Sequence, residues 1–154
     1  MGWAVLAVAF ALRAFIAWRG GQLFWPDEDR FEIARKIAGL ALEGHLGAAA
    51  DLLFGQPDHL LFKTLALVPA GLEHTIGTPA SVSALFFAAT STWVLWLIAR
   101  VARAAGATPP ESLVALFLAA CTTSLFYYSR HFLPYDLALG LFLLSLLAGL
   151  RDGT

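Results

Sequence analysis

Residues 80–99 read ASVSALFFAATSTWVLWLIA, twenty positions in a row without a charged side chain. As a helix this run is about 30 Å long, the thickness of a bilayer's hydrocarbon core. Trp93 and Trp96 stand towards its far end, and Arg100 and Arg103 follow. Aromatic and then basic residues are the order expected where a span meets headgroups. The rest of the chain has the same character. It is 59% hydrophobic and 14% charged, with a mean hydropathy of +0.73. A soluble domain carries about 25% charged residues. The deficit comes in blocks, which points to membrane spans rather than to one apolar globular core.

Working outward, Gly2 to Trp18 is an apolar run broken only by Arg13. Seventeen residues reach about 25 Å, near the lower limit for a crossing. A cleaved signal peptide is the competing reading. It would need a basic start and a small-x-small site, and neither Met1-Gly2 nor Trp18-Arg19-Gly20 supplies them. Beyond the central run, Ala104 to Pro110 is a loop broken by Gly106, Pro109 and Pro110. Residues 112–128 form a further span with Glu111 ahead of it, and residues 133–150 form the last, closed by Arg151-Asp152. The expected fold class is therefore an all-α membrane protein with four transmembrane helices, at about 2–18, 80–99, 112–128 and 133–150. It makes one membrane domain over 1–154, located in the cell membrane.

The loop over 20–79 is long and holds no run able to cross. Asp27 to Glu43 reads as an amphipathic helix started by Pro26 or Asp27 and stopped by Gly44, with Phe31, Ala34, Ala38 and Ala41/Leu42 on one face. After Pro57 comes a second helical stretch from Asp58 to about Glu73. Lys63, Glu73 and His74 make it costly to insert, so it lies along the bilayer surface, and Pro69 is expected to break it in two. With four alternating spans, the short loops bearing Arg100, Arg103 and Arg151 belong on the cytoplasmic side. Asp27, Glu28, Arg130, His131 and Asp136 then share the extracytoplasmic side.

These clusters are the candidate chemistry. Asp27-Glu28 has the groups for a general base or a cation ligand. The plainer account is that acids in a helix's first turn offset its dipole, at about 0.3–1 kcal/mol each, and charge alone favours it. Arg130 has the planar fork that suits phosphate oxygens. His131 and Asp136 are a pair able to ligate a divalent cation. His59 and Lys63 lie one turn apart and are suited to an anionic headgroup. Arg13 is expected to snorkel, with a lipid phosphate as the sharper alternative. Cys121 stands alone in an apolar run, so a disulfide framework and a cysteine-rich metal site are both excluded. A net charge of −1 without a basic stripe gives no sign of a nucleic-acid partner.

The order of these parts resembles the N-terminal half of polyprenyl-phosphate-dependent glycosyltransferases of the GT-C fold. The dolichyl-phosphate-mannose–protein mannosyltransferase and aminoarabinose transferase group is the nearest by pattern. The resemblance rests on Pro26-Asp27-Glu28 with Phe31 and Ala34 after the first span. It continues through Pro57-Asp58-His59-Leu60-Leu61-Phe62-Lys63, through Ser81-Val82-Ser83-Ala84-Leu85, and through Ser129-Arg130-His131 with Pro134-Tyr135-Asp136. It spans nearly the whole chain, and its specificity lies in the order of the parts. The paired prolines of the family's juxtamembrane segment are missing around His59.

The resemblance implies transfer of a sugar from a polyprenyl-phosphate carrier to an acceptor by inverting displacement on the outer face. Asp27 would be the catalytic carboxylate and Glu28 its support. Arg130 and Asp136, with His131, His59 and Lys63, would form the carrier-phosphate side. The cofactor is undefined; a divalent cation would sit between Asp27 and Asp136. The expected partners are a lipid-linked sugar donor and membrane lipid. Family members have more spans than four, so the chain reads as a partial module, with a partner chain as the other source of the missing spans. The alternatives are a non-catalytic multi-pass subunit or scaffold and, further off, a small transporter.

Overall fold

The computed structural model describes residues 2–18, 25–55, 60–77, 81–122 and 135–152. These residues are all-helical, without a strand. The helices are α1 (Gly2–Trp18), α2 (Trp25–Leu42), α3 (Leu46–Phe54), α4 (Leu60–Ile76), α5 (Ser81–Ala104), α6 (Pro109–Cys121) and α7 (Tyr135–Asp152). One stretch, Leu85–Ala104, is long and apolar enough to cross a bilayer by length and composition. Gly2–Ile16, Pro109–Cys121 and Tyr135–Leu150 are shorter apolar helices.

α5 is the hub, packing against α1, α6 and α7 and, near its start, against α4. It is apolar on every side, and a helix of that kind takes the centre of a bundle. Leu95 packs with Leu6, Ala9 and Leu116, while Val94 and Leu97 pack with Leu143 and Leu147. The outer faces of α1, α6 and α7 stay apolar, with Trp3, Val8, Phe15, Val114, Phe117, Leu118 and Phe142 all exposed.

The helices α2 to α4 form a cap at the N-terminal end of α5. Phe31, Ala34 and Ala38 of α2 interleave with Phe62, Ala66 and Ala70 of α4, and the seam closes on Phe87 of α5. The Phe31 and Phe87 rings meet edge to face at 6.0 Å, and Phe62 lies 5.9 Å from Phe87. Further along the same seam Arg35 meets Glu73, and Gly39 abuts His74. α2 and α4 therefore run in the same direction, with the short α3 as the return.

The sequence marks some boundaries and misses others. Gly44, at φ 86°, ends α2 as its position suggests, with Gly44 N–H bonded to Ala41 O and His45 N–H to Leu40 O. The nine-residue α3 is an addition, since residues 46–54 are too few to display a helical period. Pro69 does not break α4, which runs unbroken from Leu60 to Ile76. The proline removes one backbone donor, but buried Ala66 and Ala70 on either side hold both halves against α2. α5 continues past Ala99 to Ala104, because its stop is Gly106 at φ 96° and not the last apolar residue. α6 starts at Pro109, where two prolines suit a first turn that needs no N–H partners. Residues 123–128 of the expected third span, and 133–134 of the last, lie outside the described residues.

Two predictions follow from this packing. A methyl group added at Gly140 would overlap the Trp93 ring, whereas at Gly149 it would meet open space. Gly140→Ala is expected to destabilise the protein by about 1–3 kcal/mol in detergent unfolding, and Gly149→Ala to leave it no less stable; equal behaviour would contradict the α5–α7 packing. At the start of α6, the Glu111 carboxylate accepts from the Thr108 hydroxyl and amide, both at 2.7 Å. These bonds hold its pKa below the ordinary value of 4.5. A depressed folded pKa means that the cap's contribution is complete above about 4.5 and is lost as pH falls through the folded value. Glu111→Ala should therefore have a lower Tm than the parent at pH 7, with the gap closing on acidification; a pH-independent gap would refute the carboxylate's role.

Candidate functional site

Arg13 is the single charge within α1, and it is 1% exposed. Its Nε donates to Ser91 Oγ at 3.2 Å, and its Nη1 to the Ala9 carbonyl at 3.2 Å. Ser91 in turn hydrogen-bonds to Asp136, which is buried in the first turn of α7. α1, α5 and α7 are thus joined by polar groups inside an apolar bundle. This corrects the snorkelling expectation for Arg13. A guanidinium among apolar helices is far less costly beside a carboxylate and a hydroxyl than alone.

Ser91 is the residue that sequence reasoning missed. It sits in Thr90-Ser91-Thr92, and the flanking hydroxyls return to their own helix, at Phe86 O and Ala88 O. Only Ser91 shares the buried face of α5 with Phe87, Val94 and Leu95. A helical-wheel reading of the triplet against those neighbours is the signal that would have singled it out.

A second polar junction fixes the cap. Glu73 of α4 accepts from Arg35 Nε of α2 at 2.7 Å and from Ser83 Oγ of α5. Arg35 also meets Glu32 at 3.3 Å and lies 4.6 Å over the Phe31 ring. Burial works against the Arg35 charge, but the bonds to Glu73 and Glu32 outweigh it and raise its pKa. Glu73 of α4 therefore joins α2 to the start of α5 at one carboxylate.

The sequence-predicted residues fall into four groups. Asp136 lies in the buried cluster just described. Lys63 of α4 is 1% exposed and so does not stand out towards headgroups. Asp27 and Glu28 lie in the first turn of α2, their side chains outside the described residues. His59, Arg130 and His131 are outside the described residues altogether. Connectivity still sets the end of the bundle at which α2 begins. Arg13 is close to the C-terminal end of α1, Asp136 is at the N-terminal end of α7, and α2 opens seven positions after α1 closes. The acid pair and Asp136 thus belong to the end that carries the cap.

Among the described residues no three His, Cys, Asp or Glu side chains are grouped to hold a metal. Asp136 is engaged by Ser91 and faces the Arg13 charge, which opposes a cation there. Two apolar grooves flank α1. One, of about 350 Å³, lies against α6 and reaches Arg13 past Val8, Leu12 and Phe117. The other, of about 570 Å³, lies against α5 beneath Trp3, Phe10, Trp93 and Trp96.

Arg13→Met or Asp136→Leu alone leaves one buried charge uncompensated and is expected to cost about 3–5 kcal/mol. The double variant should lose markedly less than the sum, read as thermal unfolding in detergent micelles. Strict additivity would show that the two charges do not depend on each other. Comparison with protein-family models, curated proteins and solved structures finds no match to this chain.

Proposed function

We propose that this chain is the membrane-embedded N-terminal module of a GT-C-type glycosyltransferase that moves a sugar from a polyprenyl-phosphate carrier to an acceptor on the extracytoplasmic face. The observation that carries this reading is the seating of the cap. A helical unit that opens on Asp27-Glu28 is fastened to the end of an apolar bundle where Asp136 is buried. In this reading α1, α5, α6 and α7 are four spans, and Arg100, Arg103 and Arg151 keep the opposite end in the cytoplasm. A lipid-linked donor would reach the capped end along the apolar outer faces of the bundle.

Asp27 takes the proton from the acceptor hydroxyl as that oxygen attacks the sugar's anomeric carbon. The anomeric carbon–phosphate oxygen bond breaks on the opposite face, and the electron pair leaves with the polyprenyl phosphate. Arg130 and His131 meet that phosphate, and Asp136, held by Ser91, fixes the start of α7 close behind them.

The test is Asp27→Asn in the full-length protein in its own membranes, supplied with a panel of undecaprenyl- and dolichyl-phosphate sugars. Transfer is expected to fall about 10²–10⁴-fold, with insertion and Tm preserved. Near-normal turnover would remove Asp27 as the base. Absence of transfer by the unaltered protein with every donor would favour a non-catalytic scaffold.

A further inference from the structure

α4 crosses the N-terminal end of α5 steeply. Between Phe62, whose ring lies 5.9 Å from that of Phe87, and Glu73, which accepts from Ser83, α4 advances about 16 Å. Phe87 and Ser83 are only about 6 Å apart along α5. The crossing falls where the membrane-length stretch Leu85–Ala104 begins. With α5 along the bilayer normal, α4 lies close to the membrane plane at the level of the headgroups.

Phe62, Ala66 and Ala70 turn one side of α4 into the seam with α2. Leu61, Val68 and Leu72 stand roughly 140° around the helix from them. With Ile76 they are between 42% and 61% exposed. Thr64 and Thr75 are exposed on the same side, and their hydroxyls donate to their own helix, at Leu60 O and Gly71 O. This stripe carries no charge. It also lacks the aromatic and arginine anchors on which protein interfaces concentrate their binding energy.

The stripe joins the outer surface of the bundle. Half-buried Leu65, between the stripe and Phe62 around the helix, lines a narrow cleft with Phe86 and Thr90 of α5 and Leu137 of α7. Thr90 is deeper along α5 than Phe87, so the stripe side of α4 faces down the bundle and the α2 side faces away. Below it, Leu85 of α5 and Leu141 and Phe142 of α7 are exposed in turn.

We propose that the α4 stripe of Leu61, Val68, Leu72 and Ile76 lies in the headgroup–acyl boundary of the leaflet that α5 enters, so that the cap is seated on lipid. Uncharged aliphatic side chains gain by leaving water there, and the two threonines keep their hydrogen bonds. The proposal rests on the part of the reading above that embeds the bundle in a bilayer, and not on sugar transfer.

The test uses the full chain with Cys121→Ser and single spin-labelled cysteines, in vesicles of phosphatidylcholine and phosphatidylglycerol. Val68→Cys and Leu72→Cys place the label on the stripe, Lys36→Cys on an exposed position of α2, and Phe142→Cys on the outer face of α7. Collision with oxygen and with a water-soluble nickel chelate reads the depth of each label. Labels at 68 and 72 are expected about 5–10 Å below the headgroups, with 142 deeper and 36 in water. Thr64→Cys or Thr75→Cys, on the same side, replaces any stripe variant that fails to fold.

Nickel access at 68 and 72 equal to that at 36 puts the stripe in water and overturns the proposal. Shielding from both reagents means that protein covers it, a second copy or another chain, and overturns it equally. A deep label at 142 in either case sinks this inference alone. A label at 142 that also reads as water refutes the embedded bundle, and this proposal with it. Because no sugar enters these measurements, their failure is distinct from failure of the transferase assay.

Discussion

A guanidinium buried in an apolar bundle leaves the surrounding helices little freedom. Arg13 must keep its partners, and these sit on α5 and, through Ser91, on α7. Apolar packing alone tolerates slippage, because one leucine contact replaces another at little cost. A charge that must meet one hydroxyl and one carboxylate does not. The cluster thus sets the axial register of α1 and α7 on α5. Asp27 and Glu28 follow α1; Arg130 and His131 precede α7.

The cap is fixed by a different balance. Its seam is made of alanines that allow α2 and α4 to approach closely, with three phenylalanines at one end. Packing of this kind gives adhesion but little angular definition. Glu73 supplies the angle, because one carboxylate holds Arg35 of α2 and Ser83 of α5 at once. Without it α2 could pivot about the phenylalanine end, which is also the end nearest the acid pair.

The sequence was most legible where one physical signal acts alone. The uncharged run of α5, the amphipathic face of α2 and the glycine stop at Gly44 each follow from composition or backbone sterics within a few residues. It was least legible where tertiary contacts override local preference. Pro69 reads as a breaker, yet the helix persists because both its halves are packed. α3 is too short to show a period. Lys63 reads as a surface cation and Arg13 as a snorkelling one, because local sequence does not report which face of a helix a remote segment buries. Ser91 lies 78 positions from Arg13, and no local pattern joins them.

An acid in the first turn of a helix need not be either structural or functional alone. Asp136 stands in the first turn of α7, bonded to Ser91 and facing the Arg13 charge. Asp27 and Glu28 stand in the first turn of α2. A carboxylate kept ionised by a helix N-terminus is a dependable counter-charge for a cation inside an apolar seam. In the proposed reading, offsetting the dipole and accepting a proton are compatible roles for the acid pair, because the ionised carboxylate is the form that can take a proton.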